Sequence, residues 1–291
     1  MKRLSGKRKW LALLLAAMAV VFWCFYGSKY GLEVTNYALS TPKLSAPVRI
    51  VQLTDLHNSE FGEANGRLTQ LVRKQQPDII VLTGDMLNGD EPETEIAETL
   101  IRDLAQIAPV YASQGNHEKA NRKLFGTDVQ AMYERAGAVW LERTYEDIVV
   151  NGQAIRLGGI MGYCLSEKYL QTGEARRDEI RYLKKMQDTD AFSILLCHYP
   201  LCWIVNDNLE AWDIDCVFTG HVHGGQVRVP ILGGVYAPDQ GLFPGRECGL
   251  YYSLDRRRVM VLSRGLGSRG GVPRVNNVPE IVVVDILPQM K

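Results

Sequence analysis

The sequence predicts an α/β fold, and three observations carry that reading. Short β-rich runs alternate with amphipathic segments in the first half of the body. The second half is strand-rich with glycine- or proline-containing connections, and 291 residues at 46% hydrophobic content can bury a sizeable core. One large domain or two small ones would fit this length. Strands are expected at 48–54 (VRIVQLT), 78–84 (DIIVLTG), 109–115 (PVYASQG), 192–198 (FSILLCH) and 216–221 (CVFTGH), all with the composition of buried strands. Between the first three lie helical patterns at 67–76 and 94–108. In the latter, Ile96, Leu100, Leu104 and Ile107 share one stripe, and Glu93, Glu95 and Glu98 crowd the first turns, where the helix dipole favours acidic groups. Such repetition predicts βαβ units. Further runs at 154–163, 259–265 and 280–287 have no helical pattern between them and imply extra strands in a second sheet. DRRR at 255–258 reads as a solvated turn.

Formal net charge is zero, from 33 basic and 33 acidic residues, so no nucleic-acid partner is expected. The asymmetry is local. Lys2, Arg3, Lys7, Arg8 and Lys9 precede an unbroken apolar run at 10–26, and no acidic residue occurs before Glu33. A cleavable signal has an apolar core of roughly 7–15 residues, whereas a spanning helix needs about 17–25. The run sits at the anchor end of that scale, and the AMA tripeptide with cleavage-site chemistry lies inside it. The expected organisation is therefore a basic cytoplasmic flank (1–9), a transmembrane signal-anchor (10–26), a tether (27–47) containing Pro42 and Pro47, and a folded body (48–291). A cleaved signal and a buried core helix are the competing readings. The positive-inside rule puts the body on the extracytoplasmic side of the cell membrane, as a single-pass protein.

Six cysteines show no CxxC spacing, and Cys24 lies in the apolar run, so the remaining five read better as small buried hydrophobes than as a disulfide framework. The histidines are more informative. All five sit where predicted strands give way to polar, turn-like stretches: His57 in TDLHN, His117 in GNHE, His198 in LLCHYP, and His221 and His223 in TGHVHGG. Asp55, Asp85 and Asn116 stand beside them. Ligands in open α/β sheets gather at the carboxyl ends of strands, so these motifs are expected to meet in one crevice. Taken singly each is weak. Together they form a set of neutral imidazoles, carboxylates and an amide oxygen, which divalent Mn, Fe or Zn would bind. The set exceeds what one site with an open position would use.

The ordered blocks D-x-H, G-D, G-N-H-E, a lone His and G-H-x-H resemble the calcineurin-like metallophosphoesterases. Residues 224–230, 263–267 and 279–286 resemble a bacterial branch of membrane-anchored or exported phosphodiesterases. The resemblance implies a four-layer α/β/β/α sandwich with two mixed β-sheets. It also implies that Asp55, His57, Asp85 and His223 hold one divalent ion, and Asp85, Asn116, His198 and His221 a second. His117 is then the catalytic non-ligand. Val222 departs from the threonine or serine often found between the last two histidines, at a position facing away from the metals. Two such ions, about 3.5–4 Å apart, would lower the pKa of a shared water and supply a nucleophile for in-line attack on phosphorus.

The expected function is hydrolysis of a phosphodiester, lipid- or wall-linked, at the outer membrane face. A pyrophosphatase or phosphomonoesterase on a nucleotide-linked or soluble substrate is the enzymatic alternative, and a metal-binding scaffold of the same fold is the non-enzymatic one. Tyr163, Tyr169, Tyr236 and Phe243 are candidates for a substrate wall, with loop packing as their plainer use.

Overall fold

The computed structural model describes residues 6–163, 172–205, 208–268 and 273–289. Helix α1 (Gly6–Tyr30) leads into strand β1 (Glu33–Thr41), and β2 (Val48–Leu53) follows. Then come α2 (Gly66–Lys74), β3 (Ile79–Thr83), α3 (Glu95–Ala105), β4 (Val110–Ser113), α4 (Asn116–Phe125), α5 (Val129–Arg135) and β5 (Ala138–Leu141). The second half contains β6 (Thr144–Val150), β7 (Gln153–Ile160), α6 (Arg177–Gln187), β8 (Phe192–Cys197) and β9 (Cys216–Thr219). Two-residue strands β10 to β13 (Arg228–Val229, Gly233–Gly234, Tyr236–Ala237, Gly241–Leu242) precede β14 (Gly249–Tyr252), β15 (Val259–Leu262) and β16 (Glu280–Pro288).

Two six-stranded mixed sheets result, with orders β1-β16-β2-β3-β4-β5 and β14-β15-β9-β8-β7-β6. Strands β2 to β5 are parallel, as are β7, β8, β9 and β15. Period-two alternation decides which face each side chain takes. From β2, Val48 and Ile50 turn inward with Val81 and Val284 against Leu157, Ile194, Phe218 and Val261 of the other sheet. Val51, Leu53 and Leu82 turn outward under Leu68, Leu100, Leu104 and Tyr133 of α2, α3 and α5. Leu195, Val217 and Met260 lie under Tyr182, Leu183 and Met186 of α6. The order of layers is thus helices, sheet, sheet, helices, and truncating any of the fully buried leucines to alanine would cost about 2–5 kcal/mol.

Two expectations are corrected. The stretch 27–47 is not a tether: α1 runs on to Tyr30, and β1 pairs in parallel with β16 from Glu33–Glu280 to Thr41–Pro288. The physical reason is alternation that the polar residues obscure, since Val34 packs on the outer core while Tyr37 and Leu39 pack on the inner one. Thr35 and Arg264 both reach Glu280, and Arg264 also reaches Glu33, which fastens the edge strand. The run 280–287 does not join the second sheet. It inserts as β16 between β1 and β2, antiparallel to β2.

Helix α1 includes one stretch, Lys9–Tyr30, that is long and apolar enough to cross a membrane, with mean hydropathy 2.1 over its best window and 6% of that window buried. The segment is exposed along most of its length rather than packed as a core helix. Its carboxyl end is held to the body, where Asn277 donates its backbone N–H to Ser28 Oγ (2.9 Å) and Asn276 to Cys24 O (3.3 Å). Cys197, Cys202 and Cys216 are buried free thiols, and Cys164 and Tyr169 lie outside the described residues. The 255–258 segment is a turn in which Arg257 pairs with Asp255 and Arg258 with Asp213.

Candidate metal centre

The carboxyl ends of β2, β3, β8 and β9 and the start of α4 converge on one crevice. Three groups of residues there bring ligand atoms within 4.8 Å of one another: Asp55, His57 and His223; His57, Asp85 and His117; and Asp85, His198 and His221. All five histidines are present, and Asp85 joins two of the groups. His198 Nε2 lies 3.1 Å from Asp85 Oδ2 and 3.1 Å from Asn116 Oδ1. His57 Nε2 stands 3.8 Å from Asp85 Oδ2 and 4.0 Å from Asp55 Oδ1. Every residue foreseen for the centre is in this cluster.

The backbone is bent to make this possible. Asp55, His57, Asp85, His221 and His223 all have positive φ, between 49° and 72°. Aspartate and histidine tolerate this left-handed region better than most residues, yet each instance costs roughly 1–3 kcal/mol and persists only where its surroundings enforce it. One enforcer is Glu118, a buried carboxylate that accepts the N–H groups of Asp85 (2.8 Å), Met86 (2.8 Å) and Gly115 (2.9 Å) and the Tyr133 hydroxyl (2.9 Å). Glycine is required at 84, where φ is +87° and a Cβ would come within 2.6 Å of Gly115 and 2.9 Å of His198 Nδ1. At 115 a Cβ would strike the Asp85 carboxylate.

Outer partners fix the histidine tautomers. The Thr83 carbonyl can only accept, so His198 Nδ1 donates to it (2.8 Å), leaving Nε2 facing Asp85. Asn88 spends its NH₂ on Glu91 and the His57 carbonyl, so its Oδ1 accepts from His57 Nδ1 (3.3 Å). His221 Nε2 donates to Asp239 Oδ2 (2.8 Å), which turns Nδ1 toward the crevice. For His57 and His221 the remaining ring nitrogen presents a lone pair, the form a metal ligand takes, whereas His198 Nε2 donates to the Asp85 and Asn116 oxygens and would exchange that proton for a bound cation. His57 Nε2 is buried and has no hydrogen-bond partner. An orphaned acceptor facing two carboxylates is costly unless a cation completes it, so the donor set fits a metal centre.

Electrostatics divide the histidines into two kinds. Burial, reinforced by the neighbouring His117 and His198 against the pull of Asp85, lowers His57 to about 3 and keeps it neutral. Burial, His57 and Arg274 likewise hold His223 well below the usual range. Burial also opposes charge on His198 and Asp85, but their mutual attraction and hydrogen bond win, raising His198 to about 10 and holding Asp85 well below the carboxylate range. Asp55 is raised, chiefly by burial.

Residues 48–225 match the sequence profile of the calcineurin-like phosphoesterases. The chain belongs to that family. Relatives include an uncharacterised metallophosphoesterase of Aquifex aeolicus, 25% identical over 88% of this chain and 92% of its own length. Phosphodiesterase YaeI of Escherichia coli is 27% identical over 84% of this chain and 83% of its own. The uncharacterised metallophosphoesterase YkuE of Bacillus subtilis is 26% identical over 97% and 98%. A dimetal phosphatase from Danio rerio superposes with a TM-score of 0.47 at 11% identity, covering 77% of this chain and 88% of the other.

Within this phosphoesterase chain several crevice residues escaped sequence reasoning. Glu118 had a signal, as the acidic residue of GNHE at the third position of α4, where it takes the N-cap N–H. Asp239, Asn88 and Arg274 had none. Val222 is buried against Ala237 and Leu262, facing away from the cluster. Tyr163 packs on Trp203 and Trp212 beneath the second sheet and forms no substrate wall. Tyr236 and Phe243 are exposed. The crevice, about 430 Å³, is instead edged by Ala120, Leu124, Gln226 and Pro238 beside the ligand set.

Proposed function

We propose that this chain is a membrane-anchored phosphodiesterase whose catalytic body sits on the extracytoplasmic side, with a lipid- or wall-linked phosphodiester as substrate. The observation that carries it is the pair of ligand groups joined through Asp85, with the unpartnered His57 Nε2 between Asp55 and Asp85. Asp55, His57, Asp85 and His223 would hold one divalent ion, and Asp85, Asn116, His198 and His221 the other; Mn, Fe and Zn all suit these donors. When bound, such a pair supplies Lewis acidity that neutralises phosphoryl oxygens and lowers the pKa of water.

The chain's own residues do the rest. The strained backbone and the outer partners hold the ligands ready, so little reorganisation accompanies substrate binding. His117 lines the crevice and accepts the Gly89 N–H at Nδ1 (2.9 Å), which fixes the proton of its neutral ring on Nε2. From there it donates to the leaving oxygen as general acid. His117 also comes within ligand reach of His57 and Asp85, and its backbone N–H donates to Asp85 Oδ1 (2.8 Å), which ties the start of α4 to that carboxylate. Support for the diester comes from the relative named a phosphodiesterase and from the exposed α1, which would confine the crevice to substrates at a membrane.

The test is to purify the full chain in detergent, measure bound metals, and compare bis(4-nitrophenyl) phosphate with 4-nitrophenyl phosphate. Metal-dependent hydrolysis favouring the diester is expected. Hydrolysis of the monoester alone would overturn the diester reading, and protease access to the body in intact cells supports the outward orientation, whereas protection would reverse it.

A further inference from the structure

A second cavity, of about 500 Å³, lies between the carboxyl end of α1 and the segments that follow β2 and β15. Its walls include Phe22, Phe25 and Tyr26 of α1, with Phe61, Leu266 and Arg274 from the body. The volume falls in the range of about 300–1,000 Å³ typical of small-molecule sites. Phe22, Trp23, Tyr26 and Tyr30 stack along α1, with Phe22–Tyr26 centroids 5.8 Å apart and Tyr26–Tyr30 centroids 5.0 Å apart. Aromatic residues at the end of an apolar span sit at the headgroup level of a bilayer. With α1 spanning a bilayer as proposed above, the cavity would lie at the height where acyl chains meet headgroups.

Its polar end is Arg274. The guanidinium is buried, donating Nε to Gly267 O (2.7 Å) and Nη2 to Arg264 O (2.6 Å), and Nη2 is also 3.4 Å from His223 Nδ1. Nη1 is buried without a hydrogen-bond partner. A guanidinium is cationic at neutral pH. An unspent cationic donor between an apolar cavity and a phosphoester centre suits a ligand that is greasy on one side and anionic on the other.

We propose that this cavity takes the acyl chain of a membrane phospholipid-type substrate, whose phosphate lies beside Arg274 in the metal crevice. The proposal rests on the phosphodiesterase reading and adds the substrate class. Each methylene buried from water is worth roughly a fourfold gain in binding, so a long chain should be strongly preferred.

The test uses full-length protein in phosphatidylcholine vesicles with two substrates sharing one leaving group, hexadecyl and ethyl 4-nitrophenyl phosphate. Wild type should favour the hexadecyl ester at least tenfold in kcat/KM. Ser268→Trp, which fills the cavity from its exposed rim, and Phe25→Asn, which puts an amide in its wall, should each cut that preference severalfold or more while ethyl ester turnover stays unchanged. A preference untouched by both variants would arise from co-location in the bilayer and would overturn the cavity assignment. Photolabelling with a hexadecyl phosphodiester bearing a terminal diazirine reads occupancy without hydrolysis: label at 22–30 and 266–268 supports the proposal, and label confined to 10–21 defeats it. Failure to hydrolyse either ester would refute the phosphodiesterase reading, and the label would still decide the cavity.

Discussion

The metal crevice and the apolar cavity are similar in size, about 430 and 500 Å³, and stand on either side of the His223–Arg274 contact. Their construction is opposite. The crevice is made of side chains at strand ends, on backbone held at positive φ, with ring nitrogens and carboxylates aimed inward. The cavity is made from an ordinary helix, two loops and apolar or aromatic side chains. The contrast teaches that chemistry here depends on a few strained positions that nothing else can replace. The cavity is formed by segments some 240 residues apart, Phe22 and Leu266 among them, and on the proposal above these surfaces would select the substrate. Strain is tolerated only where buried networks such as Glu118's enforce it.

The largest effects should come from the crevice. Asp85→Asn removes the charge common to two ligand groups, and the variant should lose most of its metal by elemental analysis, with turnover of bis(4-nitrophenyl) phosphate down about 10²–10³-fold. His117→Ala should keep its metal and still lose about 10²–10⁴-fold in kcat. Equal metal loss in both variants would erase the distinction between ligand and proton donor.

A smaller effect tests whether outer partners matter as much as ligands. Asp239 orients His221 through a 2.8 Å bond yet is itself partly exposed. Asp239→Asn should weaken metal affinity about 10–100-fold in chelator competition without unfolding the chain. Unchanged affinity would mean that His221 is positioned by packing alone.

The smallest effect uses a half-buried carboxylate belonging to neither cavity. Glu142 is pushed up to about 7, chiefly by burial, against the opposing pull of Arg143 and the Met161 N–H (3.0 Å). Its folded value lies above the ordinary one, so folding favours the protonated form. Its contribution is complete below about pH 4.5 and is lost as pH rises through about 7. Glu142→Gln should therefore raise the melting temperature at pH 8, on the order of 2 kcal/mol in stability, and change it little at pH 4.5. An equal gain at both values would show that desolvation of the charge is not the cause.

Much of the fold was legible because its elements are locally consistent. The stripe of Ile96, Leu100 and Leu104 gave α3, and the runs around Val51, Val81, Leu195 and Val217 gave strands within a residue or two of their observed ends. Strand β1 was not, since Glu33, Thr35 and Asn36 pair with a strand some 245 residues later and their polarity reads locally as a linker. The same holds at the site. Ligand types are visible as short motifs, but Asp239 and Arg274 earn their roles only through contacts with His221 and His223.

What the sequence by itself determined was the inventory: buried strands ending in turns, five histidines and two aspartates at those turns, and one apolar segment at the amino end. Which atoms of those residues face one another, which tautomers they hold, where β1 and β16 enter the first sheet, and how α1 closes a cavity next to the centre were decided by tertiary structure. Local sequence sets backbone preference and side-chain chemistry. Distances between residues far apart in the chain exist only once the two sheets have packed face to face.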